Sequence, residues 1–364
     1  LLLGFDSEPT RRNIVGVALD HPEIAKQGVL LRKFGQEVIR HTAGKRIHGT
    51  GAIPGGMNKA LTVAERDEMR RDVDQMIEWA LASVHMVAAL HRTKPEFYNH
   101  FGEFESSMMG LVDARGALDF YHGGLRAVDH LGTTIFDHVD YATYEEVLEE
   151  EAKSWSYMKF PHIRALGAEK GWYKVGPLAR VQACDFISTP LADLERKKMM
   201  HLGGGKPVMG TLFFHWARLI ELLHAAELIR DLLDDPEILG TDLMADRGDR
   251  KGEAVGVIEA PRGTLFHHYR VNENDQVTFC NLIVSTTNNN QAMNEAIRSV
   301  ATQYLDGREV TEGLLNHIEV AIRAYDPCLS CATHALGQMP LEVDLVDAEG
   351  NLVARGRRNM GAPA

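Results

Sequence analysis

Between residues 326 and 334 the chain reads Asp-Pro-Cys-Leu-Ser-Cys-Ala-Thr-His, which sets two thiols three apart, Cys328 and Cys331, and an imidazole, His334, three further on. Such spacing can aim soft donors at one centre. Thiolates select nickel, iron, zinc or copper over magnesium or calcium, and coordination deprotonates a thiol whose free pKa is about 8.5. Taken alone, Cys-x-x-Cys is shared by zinc sites, redox disulfides and chance. A structural zinc site wants a second pair, which this sequence does not contain. A thioredoxin-like disulfide wants a preceding strand, and here a long helix leads in. On spacing alone, a metal site and an incidental pair stay equally open.

Other residues carry chemistry at lower specificity. Arg262, in Glu259-Ala260-Pro261-Arg262-Gly263, sits between two β-like runs. Its guanidinium stays protonated and presents a rigid fork of donors, which suits an anionic ligand or an electron-rich metal site; a surface arginine in a turn is the commoner reading. His48 lies in a Gly-rich stretch without the order of a phosphate loop, so a tight turn with a structural histidine is expected. His267 and His268 are adjacent in a strand and face opposite ways, so at most one can join a given site, and hydrogen-bonding duty is expected. Glu221 and His224 form one Glu-x-x-His element of the di-iron type, but that class needs the element twice and it occurs once. Cys184 and Cys280 stand among apolar residues and are expected to be small buried hydrophobes.

Long helices must position these groups. Residues 64–92 and 211–234 carry apolar side chains at helical spacing, and shorter helices are expected at 289–305 and 310–325. GEAVGVIEA reads as a strand, followed by a hairpin turning at Asn272–Asp275; LEVDLVD opens a second hairpin turning at Glu349–Asn351. The expected class is mainly α with small β elements (α+β). One body spans 1–334, and a separable tail spans 335–364.

The formal charge of −12 disfavours nucleic acid, because phosphate recognition needs a basic face. No apolar run approaches the ~20 residues of a membrane span, and the start lacks the design of a secretory signal. Four cysteines in 364 residues do not make a disulfide framework, so a reducing, cytoplasmic setting is expected.

Beyond spacing, DPCLSCATH resembles the second metal-binding motif of nickel–iron hydrogenase large subunits. KFGQEVIRHTAGKRIHGTGAIPGGMNKALTVAERD, EEEAKSWSYMKFP, VGPLAR, EAPRGTLFHHY, NLIVSTTNNNQAMN and EGLLNHIEVAIRAYDPCLSCATHALGQMPLEV resemble its cytoplasmic, NAD-linked branch in the same order. The resemblance implies the large-subunit fold, a helical core with short hairpins, and heterolytic H2 cleavage or formation. It implies a nickel and an iron held by four thiolates, with one carbon monoxide and two cyanides on the iron. By position, Cys328 resembles the terminal nickel ligand and Cys331 the bridging thiolate. His334 and the main-chain carbonyl of Leu282 resemble magnesium ligands. Arg262 resembles the arginine above the open face of the metals, with Asp326 orienting it. Pro261, Ser285 and Thr286 lie around the iron-bound diatomic ligands, Thr286 in the place of a hydroxyl that donates to a cyanide.

Partners follow from the same resemblance: a small subunit with iron–sulfur clusters, diaphorase subunits carrying FMN and iron–sulfur clusters that pass electrons to NAD or NADP, and a maturation endopeptidase cutting after His334. Residues 335–364 would then be a precursor extension. The sequence departs from the pattern in one respect: the family's N-terminal Arg-x-Cys-Gly-x-Cys pair is absent. An N-terminally truncated chain is expected, unable to assemble the centre alone. Two alternatives are a metal-free quinone-reductase-like relative with a structural role and a heterodisulfide- or sulfur-linked hydrogenase of the same branch.

Overall fold

The computed structural model describes residues 11, 13–246, 248–305, 307, 309–328 and 341–358. In chain order the elements are α1 (Ile14–Asp20), α2 (Pro22–Ala43), β1 (Ala52–Ile53), β2 (Gly56–Met57), α3 (Val63–Thr93), α4 (Pro95–His100), β3 (Ser107–Val112), β4 (Gly124–Val128), β5 (Thr134–Val139), β6 (Leu148–Ala152), β7 (Lys159–Ile163), α5 (Gly167–Lys170), β8 (Tyr173–Lys174) and α6 (Pro177–Ala183). They continue with α7 (Pro190–His201), α8 (Phe213–Asp234), β9 (Glu253–Ala260), β10 (Gly263–Val271), β11 (Val277–Ile283), α9 (Ser285–Asn288), α10 (Asn290–Tyr304), α11 (Glu312–Ala324), β12 (Leu341–Val346) and β13 (Leu352–Arg358). Helices dominate and the sheets are small, as the periodicity predicts.

Contacts divide the chain into two units, where the sequence suggests one body. Residues 1–89, 189–195 and 219–251 form the first; 90–188, 196–218 and 252–364 form the second. The expected boundary at 334 lies outside the described residues.

In the first unit, α3 starts with a reciprocal cap: Thr62 Oγ1 accepts from the Glu65 amide at 3.3 Å, and Glu65 accepts from the Thr62 amide at 3.0 Å. Glu227 of α8 caps the start of α7 by accepting from the Leu191 and Ala192 amides at 3.2 and 3.0 Å. His224 Nδ1 lies 2.9 Å from Thr189 Oγ1, so the lone Glu-x-x-His element serves packing rather than a second metal.

The second unit holds a four-stranded sheet, β5-β4-β3-β8, and a three-stranded sheet, β11-β10-β9. One apolar core joins them, with Met109, Leu111, Leu125, Tyr173, Val257, Phe266 and Ile283 at its centre. β3 is buried along its whole length and carries α6 on it, whereas β9 to β11 alternate. Alternation explains the paired histidines: His267 is exposed, while His268 is buried and pairs with Glu253 at 2.7 Å and the Tyr144 hydroxyl at 3.2 Å. Cys184 is buried as expected, but Cys280 is exposed; β11 is the edge of its sheet, and alternation turns Cys280 outward despite its apolar neighbours. The last hairpin, β12–β13, forms as predicted, with Gly350 N–H donating to Asp347 at 3.1 Å in its turn. Buried Gly356 lies so close to α11 and its approach that a Cβ there would fall 2.4 Å from Val310 and 3.5 Å from Leu315.

Candidate metal centre

α11 delivers the thiol. Thr311 caps its start, its hydroxyl accepting from the Leu314 amide at 3.2 Å, and the helix ends at Ala324, whose carbonyl accepts from Arg218 at 3.0 Å. Beyond Tyr325, Asp326 adopts a left-handed φ of 51°, a conformation that Asp and Asn tolerate better than most residues. That reversal and Pro327 stop the helix and turn Cys328 back toward the body.

Two groups receive this turn. Arg262 Nε donates to the Asp326 carbonyl at 2.6 Å, and a second guanidinium nitrogen reaches its carboxylate at 3.4 Å, across 64 residues of sequence. Thr286 Oγ1 accepts from the Cys328 amide at 3.1 Å. Because the Thr286 oxygen accepts, its own proton remains to be donated elsewhere. Ser285 differs: its hydroxyl donates to the Gly263 carbonyl at 2.7 Å, so it fastens the arginine turn.

Three successive asparagines hold the approach to α10. Asn288 donates to the Thr264 carbonyl at 2.9 Å and accepts from the Tyr173 hydroxyl at 2.6 Å. Asn289 binds both the amide and the carbonyl of Val175, at 2.9 and 3.2 Å, and Asn290 donates to the Lys159 carbonyl at 2.9 Å. The Pro261–Arg262–Gly263 turn is thereby packed against the loop before α6 so tightly that glycine is required. A Cβ on Gly263, at φ 137°, would lie 2.2 Å from Val175, and one on Gly176, at φ 94°, would lie 2.8 Å from the Arg262 carbonyl.

Sequence reasoning missed Arg180. On α6 it is fully buried and ion-paired to buried Glu259 at 2.8 Å; the side chains are 1% and 0% exposed, against 33% and 48% for Arg262 and Asp326. Burial pushes the Glu259 carboxyl above its ordinary range, opposed by the neighbouring guanidinium and by hydrogen bonds from Thr264 and the Leu111 amide. The available signal was a lone arginine in the apolar stretch Pro177–Ala183, all of which is buried.

Of the residues singled out, Arg262, Asp326, Thr286 and Cys328 converge, and Pro261 and Ser285 belong to the turn they share. Leu282 is 41% exposed on β11, opposite His267. Cys331 and His334 lie outside the described residues. No group of three or more His, Cys, Asp or Glu among the described residues could hold a metal ion. A cysteine whose backbone is held by a hydroxyl, two residues after an aspartate held by an arginine, fits one corner of a thiolate-held nickel centre, and the described residues supply only that corner.

Comparison with known proteins identifies the family. A model of the nickel-dependent hydrogenase family matches residues 119–334. The NAD-reducing hydrogenase HoxS subunit beta of Cupriavidus necator is 44% identical over 97% of this chain and 74% of its own length. The F420-non-reducing hydrogenase vhc of Methanococcus voltae has a subunit that is 39% identical over 93% of this chain and 72% of its own length. The crystal structure of an NAD+-reducing [NiFe]-hydrogenase in the H2-reduced state superposes with a TM-score of 0.87 at 48% identity, covering 92% of this chain and 74% of that one. Family model, relatives and solved fold lead to one conclusion: the chain belongs to the nickel-dependent hydrogenase family.

Proposed function

We propose that the chain is the metal-holding catalytic subunit of a hydrogenase that splits or forms H2 and exchanges the electrons with NAD through partner subunits. The observation that carries this reading is the convergence of Arg262 and Thr286 on the Asp326–Cys328 turn. Cys328 and Cys331 hold one side of the nickel–iron centre; Cys184 and Cys280, one buried and one on an edge strand, do not supply the other. When bound, the centre supplies the Lewis acidity that makes H2 a proton donor.

The chain's own groups then orient and polarise. Asp326 fixes the Arg262 guanidinium by its carbonyl and carboxylate, which sets a permanent positive charge on the turn that leads into Cys328. Thr286 holds the Cys328 backbone and offers its proton to an anionic diatomic ligand, while Ser285 and Pro261 shape the turn. His334 and the Leu282 carbonyl bind magnesium. Partners of this protein are an iron–sulfur small subunit, flavin-bearing diaphorase subunits and an endopeptidase that cuts after His334, leaving 335–364 as a precursor extension. A metal-free structural role is the weaker reading, because nothing in such a role calls for Cys328 beside a held arginine.

Replacing one soft sulfur tests the proposal. Cys328→Ser, in the full-length chain assembled with its partners, is expected to abolish H2 uptake and to lower bound nickel severalfold. Wild-type nickel content would refute Cys328 as a ligand.

A further inference from the structure

Arg180 lies outside every role assigned above, yet its guanidinium is spent on the residues immediately before Arg262. One terminal nitrogen donates to the Ala260 carbonyl at 2.6 Å and to Glu259 at 2.8 Å, and the other reaches the Pro261 carbonyl at 3.3 Å. Glu259 closes the arrangement by accepting from Thr264 at 2.8 Å and from the Leu111 amide of β3 at 3.0 Å. Gly110 leaves room for this, since a Cβ there would press on the Arg180 side chain at 3.1 Å.

The carbonyls of the turn are therefore claimed almost in sequence: 260 and 261 by Arg180, 263 by Ser285, 264 by Asn288. That of Arg262 sits over Gly176, where no side chain intrudes. A backbone fixed on both sides of Arg262 fixes the direction in which its side chain leaves the turn, and that side chain reaches Asp326.

We infer that Arg180 is a positioning residue for Arg262, with Glu259 as its neutralising counter-charge; the inference rests on the role proposed for Arg262. Two features favour it over simple stabilisation of the sheet. A buried ion pair is weak support for stability, because desolvating both charges offsets their attraction. Moreover, the planar fork meets three acceptors at once, a geometry that lysine cannot reproduce.

The test uses the full-length chain assembled with its partners and loaded with nickel. Arg180→Lys and the paired change Arg180→Met with Glu259→Leu are compared with Arg262→Lys. The paired change leaves no lone buried charge, so it keeps the question open should Arg180→Lys fail to fold. Expected for the paired change are nickel content and KM for H2 within twofold of wild type, and kcat per nickel lowered ten- to a hundredfold. In the nickel-free chain, amide exchange across 260–264 should be at least tenfold faster, while exchange in α8 is unchanged. A wild-type kcat per nickel, or wild-type exchange across the turn, overturns the positioning role. If Arg262→Lys itself keeps wild-type kcat, the role of Arg262 fails and the inference with it. A loss in Arg262→Lys without one in the paired change removes Arg180 alone.

Discussion

Thr286 accepts the Cys328 amide and keeps one proton to give. Thr286→Val keeps the shape and removes both functions, leaving a partly buried amide without its acceptor, at a cost of roughly 1–3 kcal/mol. On the proposed role of Thr286 beside a cyanide-bearing iron, the infrared stretch of one such cyanide in the loaded enzyme should shift, and Thr286→Ser should restore it. Unshifted bands in Thr286→Val would exclude the hydroxyl as a donor to that group. At this scale the sequence is informative where residue types are chemically scarce. Cys328 could be picked out because paired thiols have few uses; Arg262 stood out through the family resemblance, its turn alone reading as a surface arginine, and the structure holds it on Asp326, two residues before Cys328. Arg180 left only a faint sign, a lone arginine in a short apolar stretch, because seven residues do not tell that α6 is enclosed on all sides and that its one charge must find a partner. Cys280 misleads for the opposite reason: its flanks are apolar, but an edge strand has an outer face.

Elements sort by period. α3, α8, α10 and α11 are long enough for a 3.6-residue repeat to show, and their bounds fall within two residues of those read from the sequence. β3 escapes because it is buried on both faces, and an unbroken apolar run does not distinguish strand from helix. α6 is too short to show a period. Nor could the asparagine triplet be assigned, since its members tie the α9–α10 stretch to segments far away in sequence, around residues 264, 173–175 and 159. How closely those segments approach can be measured at Gly263. Gly263→Ala places a methyl 2.2 Å from Val175 on a φ of 137°, so the turn must move. We expect a loss of about 2–4 kcal/mol of stability, combining overpacking with backbone strain, read by denaturant unfolding of the metal-free chain. A loss below half a kilocalorie (roughly the level of an ordinary surface change) would contradict so close an approach.

At the scale of the molecule, the division into two units was not legible, because each is assembled from three separate stretches of chain. The second unit also encloses a charge with an unusual cost. Lys174 is fully buried; its Nζ donates to the Met209 carbonyl at 3.3 Å and lies 3.9 Å over the Phe104 ring. Burial lowers its pKa to about 7. Between pH 7 and 10.5 the unfolded chain binds a proton that the folded chain has released, so this lysine makes stability rise with pH across that window. Lys174→Met should therefore be more stable than wild type at pH 7, and its advantage should shrink by about 1.4 kcal/mol per pH unit above that, staying level below. Parallel stability curves from pH 6 to 10 would show that Lys174 does not titrate as described.

The seat of the final hairpin has one more effect. Gly356 rests against Val310 and Leu315, so a cut after His334 would turn the tail from a covalent extension into a bound peptide. Its departure would then be a dissociation with its own lifetime, slowed by the aliphatic surface it must surrender to water. A nicked protein could outlive its protease as a two-piece complex, and the surface uncovered at last would be a newly available landing place beside the helix that leads to the sulfur.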